Sequence, residues 1–142
     1  MVTTDIRLKE NCEEVSNILN GAHIDGIIAN AGVGGENHYG EEDRWNEILD
    51  TNLSGTYYFV NSFLPQLKSS TGEKKHILLT SSVLARLGVK NYTAYCASKA
   101  GLLGLMRSWA MELAENNILV NAISPGWVNT TMSKEGMQGI AI

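Results

Sequence analysis

Strand-like apolar runs alternate with helical periods along this chain. Val2 to Ile6 reads as a short first strand. Cys12, Val15, Ile18 and Leu19 recur at helical spacing and mark one face, which Gly21 closes before a second strand at Ile24 to Ala29. Beyond a glycine-rich loop, Trp45, Ile48, Leu49, Leu53, Val60 and Leu64 fit one long helix, and His76 to Thr80 returns as a strand. A second long helix runs from about Tyr92 to Glu115, carrying Tyr95, Lys99, Leu102, Leu103, Met106 and Trp109, and Ile118 to Ile123 is the last strand. Strands joined through helices assemble as a parallel sheet, so the pattern predicts an α/β fold in one domain over residues 1–142.

Composition narrows the class without changing that picture. The chain is 44% hydrophobic and 18% charged, enough for a sizeable core. Its 11 basic and 15 acidic residues give a net charge of -4, and no Lys/Arg cluster suggests a nucleic-acid partner. No apolar stretch reaches the roughly eighteen residues of a membrane span, and Met1 to Glu14 has no signal-peptide core, so a soluble, cytoplasmic protein with no membrane partner is expected. Cys12 and Cys96 fall on predicted helices without C-x-x-C spacing and are read as packed thiols. His23, His38 and His76 are scattered and form no ligand set, so no metal is expected.

Candidate chemistry gathers at the carboxyl ends of the strands, where open parallel sheets bind ligands. Asn30-Ala31-Gly32 follows the second strand, Ser81-Ser82 the third and Ser124-Pro125-Gly126 the fourth, so these loops should share one rim. The helix carrying Tyr95 and Lys99 begins after the Ser82 loop and can lean over the same crevice. At four-residue spacing the phenol and the ammonium share a helix face. A free phenol titrates near pH 10, and a tyrosine working near neutrality needs a pKa roughly two to three units lower, which a neighbouring cation such as Lys99 can supply.

Together these segments resemble the short-chain dehydrogenase/reductase family. Asn30-Ala31-Gly32 is similar to its Asn-Ala-Gly motif, and Asn52 falls at its helical asparagine. Ser82, Tyr95 and Lys99 match its serine, tyrosine and lysine in order and spacing. Asn121, Pro125, Gly126, Val128 and Thr130 are similar to its Asn-Ala-x-x-Pro-Gly-x-x-x-Thr segment. Trp45 to Asn52 and Tyr95 to Leu105 further resemble ketoacyl reductases and related secondary-alcohol dehydrogenases.

The resemblance implies a Rossmann-like, doubly wound parallel sheet with helices on both faces, and an oxidoreductase that uses NAD or NADP to interconvert a ketone or 3-oxo group and a secondary alcohol. It assigns general acid/base work to Tyr95, pKa lowering and a cofactor ribose contact to Lys99, substrate-oxygen binding to Ser82 and a proton-relay water to Asn52. Cofactor contacts fall on Asp5, Asn30, Ala31, Gly32, Tyr95, Lys99, Pro125, Gly126, Val128 and Thr130. Bland alternatives stand beside several of these: a helix bend for Asn52, a strand-end turn for Ser82, a surface aspartate for Asp5 and an ordinary turn for Thr130. Trp127, Val33 to Tyr39 and Leu84 to Asn91 are expected to border the substrate, unless Trp127 caps the core. A homo-oligomer, dimer or tetramer, is implied through the two long helices, where Leu53, Phe59, Phe63, Leu103 and Trp109 serve either that surface or the core.

One departure is large. No G-x-x-x-G-x-G turn is present, and by comparison with a single Rossmann domain of about 250 residues the match begins near the family's third strand. The expectation is therefore an incomplete sheet, lacking the first two strands and the last, with Ile24 to Ala29 as an apolar edge. Two readings follow: the catalytic segment of a nicotinamide-dependent enzyme, or a truncated, non-catalytic fragment that acts as an interaction or dimerisation partner.

Overall fold

The computed structural model describes residues 2–129. Helix α1 (Lys9–Ile18) precedes strand β1 (Gly26–Ala29). Helix α2 (Trp45–Leu49) passes through a π turn (Asp50–Ser54) into α3 (Gly55–Ser69), so the predicted long helix is continuous but widened by one turn at Asn52. Strand β2 (Lys75–Thr80), helix α4 (Thr93–Glu112) and strand β3 (Ile118–Ile123) complete the order. The three strands form a parallel sheet in the order β1-β2-β3, with Ile27 opposite Ile77 and Leu79 opposite Ala122.

Val2 to Ile6 is not a strand, contrary to the pattern reading. A strand exists through its ladder partners. β1 pairs only with β2, and no described strand lies beside Val2 to Ile6. α4 also ends earlier than predicted, at Glu112, where a 3-10 turn over Ala114–Asn116 and the left-handed Asn117 (φ 57°) turn the chain into β3.

Period-two alternation sorts the sheet into two unlike faces. Ile27, Ala29, Ile77, Leu79, Ile118 and Val120 point to one side and pack against Val60, Phe63, Leu64 and Leu67 of α3 and Trp109 of α4. Burying each such large apolar side chain stabilises the fold by about 1.5–3 kcal/mol. Phe63 and Trp109 are therefore core residues and are not available as an oligomer surface. α1 is laid on α3 rather than on the sheet: Ser16 Oγ donates to Ser62 O at 2.6 Å, and Gln66 Nε2 donates to Ser16 O at 2.7 Å. The opposite face of the sheet carries no described helix, leaving Ile28 68% exposed and Leu119 48% exposed. The fold is thus an incomplete Rossmann-type α/β sheet, covered on one side by the described residues. Among those residues no helix is long and apolar enough to cross a membrane.

At the foot of the sheet Lys75 is buried, and its ammonium donates to Lys68 O (3.2 Å) and Ser70 O (3.4 Å). A cation there meets the carbonyls at the negative end of α3 and closes that helix before β2. Cys12 is fully buried, as expected of a packed thiol, whereas Cys96 is only half-buried.

Candidate active site

Three loops meet at the carboxyl ends of the strands, and hydrogen bonds stitch them together. Ser81 N donates to Ile123 O at 2.8 Å, and Val83 N donates to Pro125 O at 3.0 Å, joining the loop after β2 to the loop after β3. Thr80 Oγ1 donates to Asn30 Oδ1 at 2.9 Å, joining β2 to the loop after β1. Ser81 Oγ donates to Lys99 O at 2.8 Å and so draws α4 onto the same rim.

Asn52 projects from the π turn, a feature frequent at functional sites. Its Oδ1 accepts from Val33 N at 2.8 Å, while Nδ2 donates to Val33 O at 2.9 Å and to Ser98 Oγ at 3.1 Å. The buried amide is therefore fully engaged in holding the loop after β1 against α4. Gly32 eases that approach, since a Cβ would sit a tight 3.0 Å from Asn52 Oδ1 and 3.5 Å from Lys99 Nζ.

Ser82, Tyr95 and Lys99 face one cleft of about 460 Å³, whose walls also include Asn30, Gly32, Pro125, Gly126 and Val128. Lys99 Nζ lies 5.6 Å from the centre of the Tyr95 ring and donates to Thr80 O at 2.8 Å. Ser82 Oγ accepts from Leu84 N at 3.1 Å, capping a 3-10 turn over Val83–Ala85. Burial pushes the Tyr95 phenol above its ordinary value, and a hydrogen bond with Ser82 pulls it partly back. Burial also brings the Lys99 ammonium down to about 8. The expected lowering of Tyr95 by Lys99 is thus not found in this arrangement. The ammonium is engaged by a carbonyl at the end of β2, so the enclosure of the ring outweighs it.

Other expected residues fall elsewhere. Asp5 and Ala31 border a second hollow of about 440 Å³, together with Arg7, Glu47 and Thr51. There Arg7 grips Asp5 through Nη2 at 2.6 Å, holding its carboxyl at about 2. Thr130 lies outside the described residues. Trp127 is 40% exposed and walls the cleft rather than capping the core. Of Val33 to Tyr39, only Val33, Gly34 and Gly35 reach the cleft, and Tyr39 is fully exposed. Pattern reading missed Tyr92, which meets Tyr95 edge to face at 6.2 Å. It also missed the buried Asn37, whose Oδ1 accepts from Ala94 N at 2.9 Å. A lone asparagine in a glycine-rich loop carries no periodic signal, so only the folded chain exposes its partner.

The family model described as short chain dehydrogenase matches residues 1–140. The chain belongs to the short-chain dehydrogenase family. It is similar to a 3-oxoacyl-[acyl-carrier-protein] reductase of Thermotoga maritima, at 35% identity over 138 residues, covering 94% of this chain and 54% of that protein. Among solved structures, a carveol dehydrogenase from Mycobacterium avium in complex with NAD is 36% identical with a TM-score of 0.83, covering 92% of this chain and 49% of that one. A structure from Shigella flexneri described as a short chain dehydrogenase complexed with NADP is 29% identical with a TM-score of 0.82, covering 94% and 57%. The chain spans about half the length of the curated short-chain dehydrogenases it matches.

Proposed function

We propose that this chain is the catalytic segment of an NAD(P)-dependent oxidoreductase that interconverts a ketone or 3-oxo group and a secondary alcohol. The observation that carries the reading is the convergence of Ser82, Tyr95 and Lys99 on one cleft at the carboxyl ends of the strands. Relatives named for 3-oxoacyl reduction and carveol dehydrogenation support the reaction class, and complexes with NAD and NADP support the cofactor without choosing between them.

The residues present fit the nicotinamide-ribose end of such a cofactor. An ammonium has three donors, and Lys99 uses one on Thr80, leaving donors for ribose hydroxyls. Gly126 offers backbone that nothing crowds, since a Cβ there would meet no atom within 4 Å. Asn30 and Gly32 line the cleft, and Asp5 and Ala31, which border the second hollow, would meet the adenosine half. Pro125, Val128 and Thr130 belong to the segment that follows β3. No glycine-rich pyrophosphate turn occurs in the sequence, so affinity of this chain alone should be weak.

When bound, the nicotinamide supplies or accepts the hydride. Ser82 donates a hydrogen bond to the substrate oxygen where charge develops. Tyr95 delivers its phenolic proton to the alkoxide oxygen, or removes it from the alcohol in the oxidative direction. Lys99 in its charged form stabilises the phenolate left behind, and Asn52, its amide bonded to Val33 and Ser98, holds the loop after β1 against α4 beside them. With Tyr95 held above its ordinary value and Lys99 at about 8, both are protonated at neutral pH, a state suited to carbonyl reduction. Val83, Leu84, Tyr92 and Trp127 give the substrate an apolar wall. The test follows loss of reduced-nicotinamide absorbance with a panel of ketones, for this chain and for a longer form. Turnover removed by Tyr95→Phe is expected. Undiminished turnover in that variant, or none in either form, overturns the reading.

A second reading, a non-catalytic partner of a longer relative, is favoured by the sheet face around Ile28 and Leu119 that no described helix covers. Sedimentation of the chain with and without such a relative separates the two.

A further inference from the structure

Tyr95 and Lys99 stand in the first two turns of α4, so whatever fixes the start of that helix fixes both. Tyr92, at its N-cap position, gives the first turn no side-chain hydrogen bond. The acceptor comes instead from the loop after β1. Asn37, only 8% exposed, accepts through Oδ1 from Ala94 N at 2.9 Å and from Thr93 Oγ1 at 3.0 Å. Its own N–H donates to Asn91 O at 2.8 Å, just before the helix. Its Nδ2 donates to Asp43 Oδ1 at 3.3 Å, the same oxygen that accepts from Trp45 N at 3.0 Å where α2 begins. One buried amide therefore ties together the starts of two helices and the loop that walls the cleft.

We propose that Asn37 is a positioning residue for the reaction, capping α4 from the loop after β1 and thereby setting Tyr95 and Lys99 against Gly32 to Gly35. The assignment of a reaction rests on the reading of Tyr95 and Lys99 given above. This loop and α4 both wall the cleft, and Asn37 bonds one to the other, as Asn52 does through Val33 and Ser98. The chemistry of the position is specific. One atom must accept from the helix, and the other must donate to a carboxylate. Alanine leaves the Ala94 N–H without its acceptor, which costs the helix its cap. Aspartate keeps the acceptor but sets a carboxylate against Asp43. Exchanging the pair, as Asn37→Asp with Asp43→Asn, keeps the acceptor for Ala94 N and a bond between the two side chains with donor and acceptor reversed, and gives up the Trp45 N bond, because a single Asp43 oxygen accepts both.

That exchange supplies the test, on the 142-residue chain. Two readouts are taken: amide hydrogen exchange at Ala94, and the Tyr95 phenol titration, isolated by difference against Tyr95→Phe. The groups facing that phenol are Ser82, Lys99, Tyr92 and Cys96, and all stay in place. Asn37→Ala should speed Ala94 exchange about tenfold. It should also move the Tyr95 titration down toward the ordinary phenol value as the ring loses enclosure, while β2 and β3 amides keep their protection. Asn37→Asp alone should resemble Asn37→Ala, and the double exchange should restore both readouts. Unchanged exchange or an unchanged Tyr95 titration in Asn37→Ala overturns the proposal, as does failure of the double exchange to restore them. If Asn37→Ala does not fold, the contrast between Asn37→Asp and the double exchange decides alone. Neither readout needs turnover. A titration that shifts as expected in a chain without activity supports the role of Asn37 and counts only against the catalytic reading.

Discussion

The cleft of about 460 Å³ and the second hollow of about 440 Å³ are nearly equal in size and opposite in construction. The cleft is walled by groups brought from β1, β2, β3 and α4, with Ser82 and Lys99 buried and Tyr95 half-buried. The hollow is bordered by a local pair, Asp5 and Arg7, two residues apart and exposed to water. Both contain perturbed groups, for different reasons. Burial moves Lys99 and Tyr95, while pairing moves Asp5, whose side chain stays 38% exposed. Perturbation by burial is bound to the fold and changes reactivity. Perturbation by an exposed pair can be removed without the fold noticing. Each experiment below presses on that difference.

The largest effect belongs to the proposed proton donor. Tyr95→Phe deletes one hydroxyl from the cleft and nothing else, so kcat should fall on the order of 10²–10⁴-fold with cofactor KM little changed. Steady-state rates with reduced nicotinamide and a ketone check it. A matching loss in cofactor KM would show that the hydroxyl supports the cleft rather than the reaction.

Lys99 comes next, and its signature is thermodynamic. Its pKa falls from 10.5 in the unfolded chain to about 8 in the fold. Between those values the unfolded chain holds a proton that the folded chain lacks, so stability rises with pH across the window, and the penalty is fully present below pH 8. The shift corresponds to about 3 kcal/mol. Tyr95, raised above 10, works in reverse only beyond that value. Urea midpoints measured from pH 8 to 10.5 should climb for the native chain and stay flat for Lys99→Met. Equal slopes would mean that the ammonium is solvated and that the cleft resembles the hollow after all.

Pattern and motif read the cleft better than they read its supports. Ile118 to Ile123 is a strand over its full predicted length, and His76 to Thr80 is missed by one residue, because a buried parallel strand is written as a local apolar run. Val2 to Ile6 has the same local signal without a neighbour to pair with, and periodicity cannot report a missing partner. Ser82, Tyr95 and Lys99 were visible through spacing along one helix and its preceding loop. Asn37 and the Asn52–Val33 clamp depend on contacts between residues far apart in sequence, which no window along the chain contains. The charge state of Lys99 was hidden for the same reason, since it follows from enclosure and from the Thr80 carbonyl.

A smaller effect probes how tightly the cleft is closed. Gly32→Ala places a methyl 3.0 Å from Asn52 Oδ1 and 3.5 Å from Lys99 Nζ, where the neighbours must yield by a few tenths of an ångström. Asn52 has little room, as its amide is fixed to Val33 and Ser98, so the substitution should cost about 1–2 kcal/mol. Thermal midpoints measure that cost. No change would show that the clamp is loose.

The smallest effect falls in the hollow, where Arg7→Ala separates pairing from burial. Arg7 holds the Asp5 carboxyl at about 2 against an ordinary 3.8 through side-chain and backbone hydrogen bonds. A lowered folded-state pKa contributes stability that is present above 3.8 and lost as pH falls through about 2. Arg7→Ala should return the Asp5 titration, followed by carboxyl carbon resonance, toward 3.8 and flatten the acid limb of the stability curve. The melting temperature at neutral pH should barely move, because an exposed pair is screened by water and by salt. Added salt should erode the Asp5 shift in the native chain while leaving the Lys99 window in place, since enclosure does not depend on ionic strength. If salt moved both alike, burial would not be what sets the cleft apart.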